Sequence, residues 1–320
     1  MSLIDVFNGD ADGICALQQI RLHSPAESTL VTGVKRDIKL LDGLDAQAGD
    51  EITVLDISLD KNRSGLVRLL DSGAHVRYFD HHFAGEIPEH ENFDAHIDTS
   101  PDTCTSLLVD DDLNGEYRAW AVTAAFGDNF HDSARRAAEP LGLGEDKLEL
   151  LKDLGELINY NAYGGAVEDL HFAPADLYRK LRPYVDPLQF IREDEAFVKL
   201  RDGYAEDNAQ ARSIGPELES GARALFILPA EPWARRVSGV FANELARANP
   251  QRAHAMLTRL PEGGFVVSVR APLSSKTGAD VLCRQFPTGG GRQAAAGIND
   301  LPEDALEEFG ARFAEVFPGT

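Results

Sequence analysis

The chain has 320 residues, 43% of them hydrophobic, and a formal net charge of −22. That length exceeds the usual size of one core, so two domains are expected, and the apolar content excludes wholesale disorder. No apolar run approaches a membrane span, residues 119–126 being about the longest. No signal-type segment opens the sequence, and three widely spaced cysteines, Cys15, Cys104 and Cys283, argue against a disulfide framework, so the expected location is the cytoplasm.

In chain order, short apolar runs at 2–7, 52–55 and 76–79 have the length and composition of buried parallel strands. Residues 12–23 read as a helix with Ile14, Leu17, Ile20 and Leu22 on its apolar side, and 61–72 as a crossover helix stopped by Gly73. This βαβ rhythm predicts an α/β domain with a mainly parallel sheet. From about 101 to 212 the chain reads as predominantly helical, an extension of that first domain (1–212). Residues 213–221, with Gly215, Pro216 and Gly221, are the expected linker to a smaller α/β domain, 222–320. There, 224–228 reads as a strand, 233–248 as a helix, 253–260 and 264–270 as a hairpin, and 278–286 and 303–317 as helices.

Four carboxylate motifs stand out against this frame: Asn8-Gly9-Asp10-Ala11-Asp12-Gly13, Asp56, Asp80-His81-His82 and Gly127-Asp128-Asn129. Each of the first three follows one of the apolar runs. Ligands of doubly wound sheets gather at the carboxyl ends of strands, so these acids should converge there. Like charges at short range resist ionisation, and divalent cations are the natural remedy. Carboxylates with an imidazole suit Mn2+, or Mg2+. Alone, Asp10–Gly13 reads equally well as a helix-capping turn and Asp80–His82 as a polar strand end; in combination they read as a two-metal site.

Charge is unevenly distributed. Residues 222–297 carry a balance of +6 and the remainder −28. Duplex binding draws on neutralised phosphates, so the acidic body argues against long duplex DNA, while a small anionic substrate stays compatible. Gly289, Gly290 and Gly291 permit positive φ and close approach of backbone amides to an anion; Arg292 and Arg270 beside them favour a phosphate role over a surface linker. Asn159-Tyr160-Asn161-Ala162-Tyr163-Gly164-Gly165 reads as packed turn chemistry, with stacking and amide bonding of a base the alternative.

The ordered set Asp-Ala-Asp-Gly, strand-end Asp, Asp-His-His and Gly-Asp resembles the DHH phosphoesterase superfamily. Gly289-Gly290-Gly291-Arg292 through Gly297, with Ser268-Val269-Arg270 upstream, resembles the first-type DHH-associated domain. That family includes nanoRNases, cyclic-dinucleotide phosphodiesterases and RecJ-like exonucleases. The resemblance implies two divalent ions, Mn2+ foremost: Asp10 and Asp56 with Asn8 for the first, and Asp12, Asp56, His81 and Asp128 for the second. His82 would face the substrate phosphate, with Asp80 orienting the histidine pair. Thr105 and Ser106 resemble the family's hydroxyl-rich turn, and Arg270, the three glycines and Arg292 would bind substrate. Relatives carry His or Asp at Asn8, whose neutral amide is the weaker ligand, and His at Arg292, whose fork suits phosphate. The implied activity is hydrolysis of short oligonucleotides, nucleotide bisphosphates or cyclic dinucleotides held between the domains, without a membrane partner; a homodimer is compatible with it. The alternatives are a pyrophosphatase or exopolyphosphatase and a catalytically weak nucleotide sensor or assembly subunit.

Overall fold

Leu3–Phe7 (β1), Thr29–Val31 (β2), Glu51–Leu55 (β3), His75–Asp80 (β4) and Phe93–Ile97 (β5) form one parallel sheet, in the order β2-β1-β3-β4-β5. The computed structural model of the chain describes residues 2–319. The three strands read from the sequence are the central ones, and the last four residues of β1 and of β3 are buried. Such two-sided burial explains why they are continuous apolar runs rather than alternating ones. The edge strands β2 and β5 give no comparable sequence signal, because both are partly exposed and β5 carries charge, as edges generally do. In this order the chain turns outward in opposite directions from β1 and β3, so their adjacent carboxyl ends form the topological switch point.

Helix α1 (Ala11–His23) packs behind β1, and α2 (Leu59–Asp71) links β3 to β4, ending where Gly73 takes φ +85°. One face of the sheet is closed by Ile4, Val6, Ile52, Val54 and Val76 against Leu66, Leu69 and Leu70. Full burial of each such side chain stabilises the fold by about 1.5–3 kcal/mol. A buried bidentate pair ties α1 to the sheet: Arg21 Nε donates to Asp5 Oδ2 at 2.8 Å and Nη2 to Oδ1 at 2.5 Å. The helical stretch follows as α3 (Thr105–Asp112), α4 (Arg118–Gly127), α5 (His131–Ala138), α6 (Glu145–Ala162), α7 (Pro174–Leu181), α8 (Pro187–Glu193) and α9 (Glu195–Ser213). The apolar run at 119–126 is the interior of α4, and among the described residues no helix is long and apolar enough to cross a membrane.

The chain divides into two compact units, up to Asp202 and from Gly203 onward. The division falls inside α9 rather than after residue 212, because the last turns of that helix pack on the second unit: Ala211 joins the core of Phe226, Val237 and Phe241. The expected linker at 213–221 is not wholly irregular. It contributes Leu218–Glu219 (β6), the edge of a sheet with Arg223–Leu228 (β7), Ala253–Arg259 (β8), Phe265–Arg270 (β9), Gly289–Gly291 (β10) and Ala295–Leu301 (β11), ordered β10-β11-β9-β8-β7-β6. Only β7 and β8 are parallel; β8 and β9 form the expected hairpin. Helices α10 (Pro232–Ala248), α11 (Ala279–Cys283) and α12 (Leu306–Val316) complete the unit.

The glycine run is therefore a strand, β10, and not an open loop. Two of its three glycines have a steric origin: a Cβ at Gly289 would lie 1.7 Å from the Cys283 carbonyl oxygen, and Gly291 holds φ +137°, whereas a Cβ at Gly290 would meet nothing within 4 Å. The three cysteines are free and buried.

Candidate functional site

The first motif begins where β1 ends. Asp10 is the N-cap of α1, its Oδ1 accepting from the amides of Asp12 at 3.0 Å and Gly13 at 3.1 Å. These bonds satisfy orphan donors of the first turn and fix both acids at the sheet edge. Asp12 is fully buried. Its two oxygens accept from the amides of Thr105 and Ser106, each at 2.7 Å, so it serves α3 as a cap from another element. Asp56 follows β3 in the left-handed region at φ +59°, a strained position for a residue other than glycine, and accepts from Thr105 Oγ1 at 3.1 Å. At the end of β4, Asp80 is fully buried and binds His82 Nδ1 at 2.7 Å. Asp128 caps the C-terminal end of α4.

His81 joins these groups. Its Nδ1 lies 3.1 Å from the Thr103 carbonyl oxygen. A carbonyl only accepts, so Nδ1 carries a proton, and the neutral ring of that tautomer presents the Nε2 lone pair. That Nε2 faces Asp56 Oδ1 at 3.5 Å, Asp128 Oδ2 at 3.7 Å and Asp12 Oδ2 at 3.8 Å. These separations exceed hydrogen-bond length, and a bound cation would offset the like charges gathered around His81. Asp12, His81 and Asp128, and Asp56, His81 and His82, are the groupings of the described residues that could hold a metal ion. The donor set fits a hard divalent ion of the Mn2+ or Mg2+ type.

Electrostatics agree. Burial pushes the Asp56 carboxyl well above the usual range, and the charges of Asp10, Asp12 and Asp128 push it further. Burial also raises Asp128, against the pull of Lys35. Asp10 goes the other way: burial raises it, but the charge and hydrogen bond of Lys35 outweigh that and hold it low. Burial lowers His82, yet its bond to Asp80 and that residue's charge leave it raised.

Asn8, Asp10, Asp12, Asp56, Asp80, His81, His82, Thr105, Ser106 and Asp128 thus gather at the carboxyl edge of the first sheet. Two further residues belong with them. Lys35, in the loop after β2, has its ammonium against Asp10 Oδ2 and 3.1 Å from Asp128 Oδ1. Burial works against its charge, but Asp10 and Asp128 hold its pKa well above the usual value. Asn159, in α6, accepts from the Ala11 amide at 2.9 Å and donates to the Gly127 carbonyl, coupling the start of α1 to the end of α4. It thereby positions Asp10 and Asp12 relative to Asp128. A basic residue just beyond a strand end was the available signal for Lys35, and it required recognising β2.

The other expected residues lie in the second unit. Arg270, in β9, donates to Asn243 Oδ1 at 2.7 Å and Ser268 Oγ at 2.8 Å. It pairs in register with Ala295, and Arg292 and Ala295 close the turn between β10 and β11, so both arginines stand at one end of that sheet.

No protein-family model matches the chain, and no curated protein matches it. Solved structures do. An exonuclease RecJ bound to manganese aligns with TM-score 0.65 at 17% identity, over 100% of this chain and 91% of that one. RecJ from Thermus thermophilus, in complex with Mn2+, gives 0.65 at 18%, over 99% of this chain and 52% of its own length. The chain has a RecJ-like DHH fold. A pGpG-specific phosphodiesterase, PggH from Vibrio cholerae, is similar over 99% of both chains, with TM-score 0.57 at 15% identity. In this DHH fold the carboxylates and His81 occupy strand ends of the parallel sheet, as expected for its ligand edge.

Proposed function

We propose that the protein is a metal-dependent phosphoesterase that hydrolyses phosphoester bonds in short oligonucleotides, nucleotide bisphosphates or cyclic dinucleotides. The observation that carries this reading is the convergence of Asp12, Asp56 and Asp128 on the unprotonated nitrogen of His81, at 3.5–3.8 Å. A divalent ion on those residues would polarise a phosphoryl oxygen and activate water. The chain's own groups do the rest. Thr105 holds Asp56 in place, and the Thr103 carbonyl fixes the His81 tautomer. Asp80 accepts from His82 Nδ1 and helps raise the pKa of that half-exposed ring, so its cationic form, which carries a proton on Nε2 as well, would donate to a phosphate oxygen. RecJ and PggH, which share the fold, support a phosphoester substrate, and the basic segment 222–297 with Arg270 and Arg292 would bind a second phosphate.

The test is a panel of dinucleotide, cyclic dinucleotide, nucleotide bisphosphate, longer single strand and duplex, with Mn2+ or Mg2+, and products separated by chromatography. Turnover of a short substrate, lost in Asp12→Asn and under chelation, is expected. Metal-loaded protein that turns over none of the panel, or that prefers duplex, refutes the reading.

A further inference from the structure

The residues expected to hold a first ion do not offer it a place. Asn8 Oδ1 accepts from the Asp10 amide at 3.3 Å, and its Nδ2 donates to the Lys35 carbonyl at 3.3 Å. Asp10 has one oxygen committed to the α1 cap and the other to the Lys35 ammonium. Both groupings of three acidic or imidazole side chains able to hold a metal draw on His81, whose single lone pair serves one ion, and neither includes Asp10.

Lys35 is built into this position. Its amide donates to the Ala162 carbonyl at 3.0 Å, and the preceding Val34 amide donates to Asp37 Oδ2 at 3.0 Å. The loop also presses on the first motif: a Cβ on Gly9 would sit 2.1 Å from the Gly33 carbonyl oxygen. The side chain is 29% exposed and reaches two carboxylates from separate elements, which a solvated surface lysine does not do.

We propose that the Lys35 ammonium takes the place of the first divalent ion, so that the protein holds one ion per chain, on Asp12, His81 and Asp128 with Asp56 beside them. The proposal rests on the metal-phosphoesterase reading of this site and gives Lys35 a role in it: a permanent positive charge facing the substrate phosphate from the Asp10 side. One ion and one lysine then share the task assigned to two ions in a two-metal site. Asn8 fits this arrangement, because a neutral amide can bond to the Lys35 main chain and brings no further charge to a position already occupied by a cation.

The experiment measures metal stoichiometry directly. Full-length protein is stripped with chelator, titrated with Mn2+ by calorimetry, and assayed for metal content after gel filtration. Electron paramagnetic resonance distinguishes an isolated Mn2+ from an exchange-coupled pair. Wild type is expected to bind one equivalent with the six-line signal of a single ion. Lys35→Ala and Lys35→Met should rise to two equivalents with exchange coupling, and Lys35→Arg should remain at one. Thermal melts in chelator confirm folding; Lys35→Met retains the side chain's bulk if Lys35→Ala misfolds. Two coupled ions in wild type, or one equivalent in the folded Lys35 variants, overturns the proposal. Two ions with turnover would leave the phosphoesterase reading intact, whereas one ion without turnover of any phosphoester would reject that reading alone.

Discussion

Gly155 is where a single methyl group should disturb the site from outside it. It lies in α6, where that helix crosses α4, and a Cβ built there would meet the Thr123 carbonyl oxygen at 2.1 Å and the Gly127 amide nitrogen at 2.8 Å. Contacts below 3.0 Å are essentially never tolerated, so Gly155→Ala must part the two helices by about 1 Å. The obstructing atoms are backbone and cannot rotate away. Overpacking of this kind costs about 1–3 kcal/mol, which for a unit of some 200 residues lowers Tm by roughly 2–12 °C. Asp128 directly follows Gly127, and Asn159 follows Gly155 by one helical turn, so the same shift should move Asp128 away from His81 and weaken metal binding. The control is Gly239→Ala in α10, where a Cβ meets nothing within 4 Å. That change should stabilise by about 0.5–1 kcal/mol, because only the backbone entropy term remains. Calorimetric melts and Mn2+ titration of both variants decide the matter. A Gly155→Ala protein with unchanged Tm and unchanged metal affinity would refute the close-packing argument, as would equal signs for the two substitutions.

Asp56→Asn should raise the Tm of the chelated protein, since the raised carboxyl pKa means that its charge opposes folding at neutral pH; asparagine also tolerates φ +59°. The gain should be roughly 2–4 kcal/mol, the scale of one like-charge pair about 4–8 Å apart at an effective dielectric near 20, and the extra stability conferred by Mn2+ should disappear; a fall in Tm under chelation counts against this. His254, fully buried in β8, is held at about 4 by burial and by the Arg252 charge, against weaker opposing pulls from the Arg252 backbone and Glu219. Between pH 6.5 and 4 the unfolded chain binds the extra proton, so stability falls as pH drops through that window, by about 3 kcal/mol at most. Urea midpoints at pH 7 and 4.5 should show that loss in wild type and not in His254→Leu; parallel losses would refute it. Arg270→Ala and Arg292→Ala should each lower kcat/KM for a short substrate by roughly 10- to 100-fold, from about 1.5–3 kcal/mol of lost charge-assisted contact, with metal content unchanged; equal kinetics would remove those arginines from substrate binding.

The carboxylate edge of the first sheet was legible in the sequence because each of its early motifs follows immediately on an apolar run. A strand buried on both faces declares itself by composition, and the residue after its end has little freedom about where to stand. Asp10 as the cap of α1, Asp56 after β3 and His81 after β4 are consequences of that local logic. Other parts were not legible. Strand β2 has three partly exposed residues and no period of its own; only pairing with β1 makes it a strand and carries Lys35 to Asp10. Asn159 reaches Ala11 across 148 positions. Gly289 of β10 is required by a carbonyl oxygen on α11, and Gly291 by its positive φ and the Ala296 backbone, neither of which any local pattern displays. Local sequence determined where the acids would sit, because neighbouring bonds carry that information. Tertiary structure alone decided which cation-bearing side chain meets them, because sheet order brings distant loops to one edge and leaves no trace in the spacing of either loop.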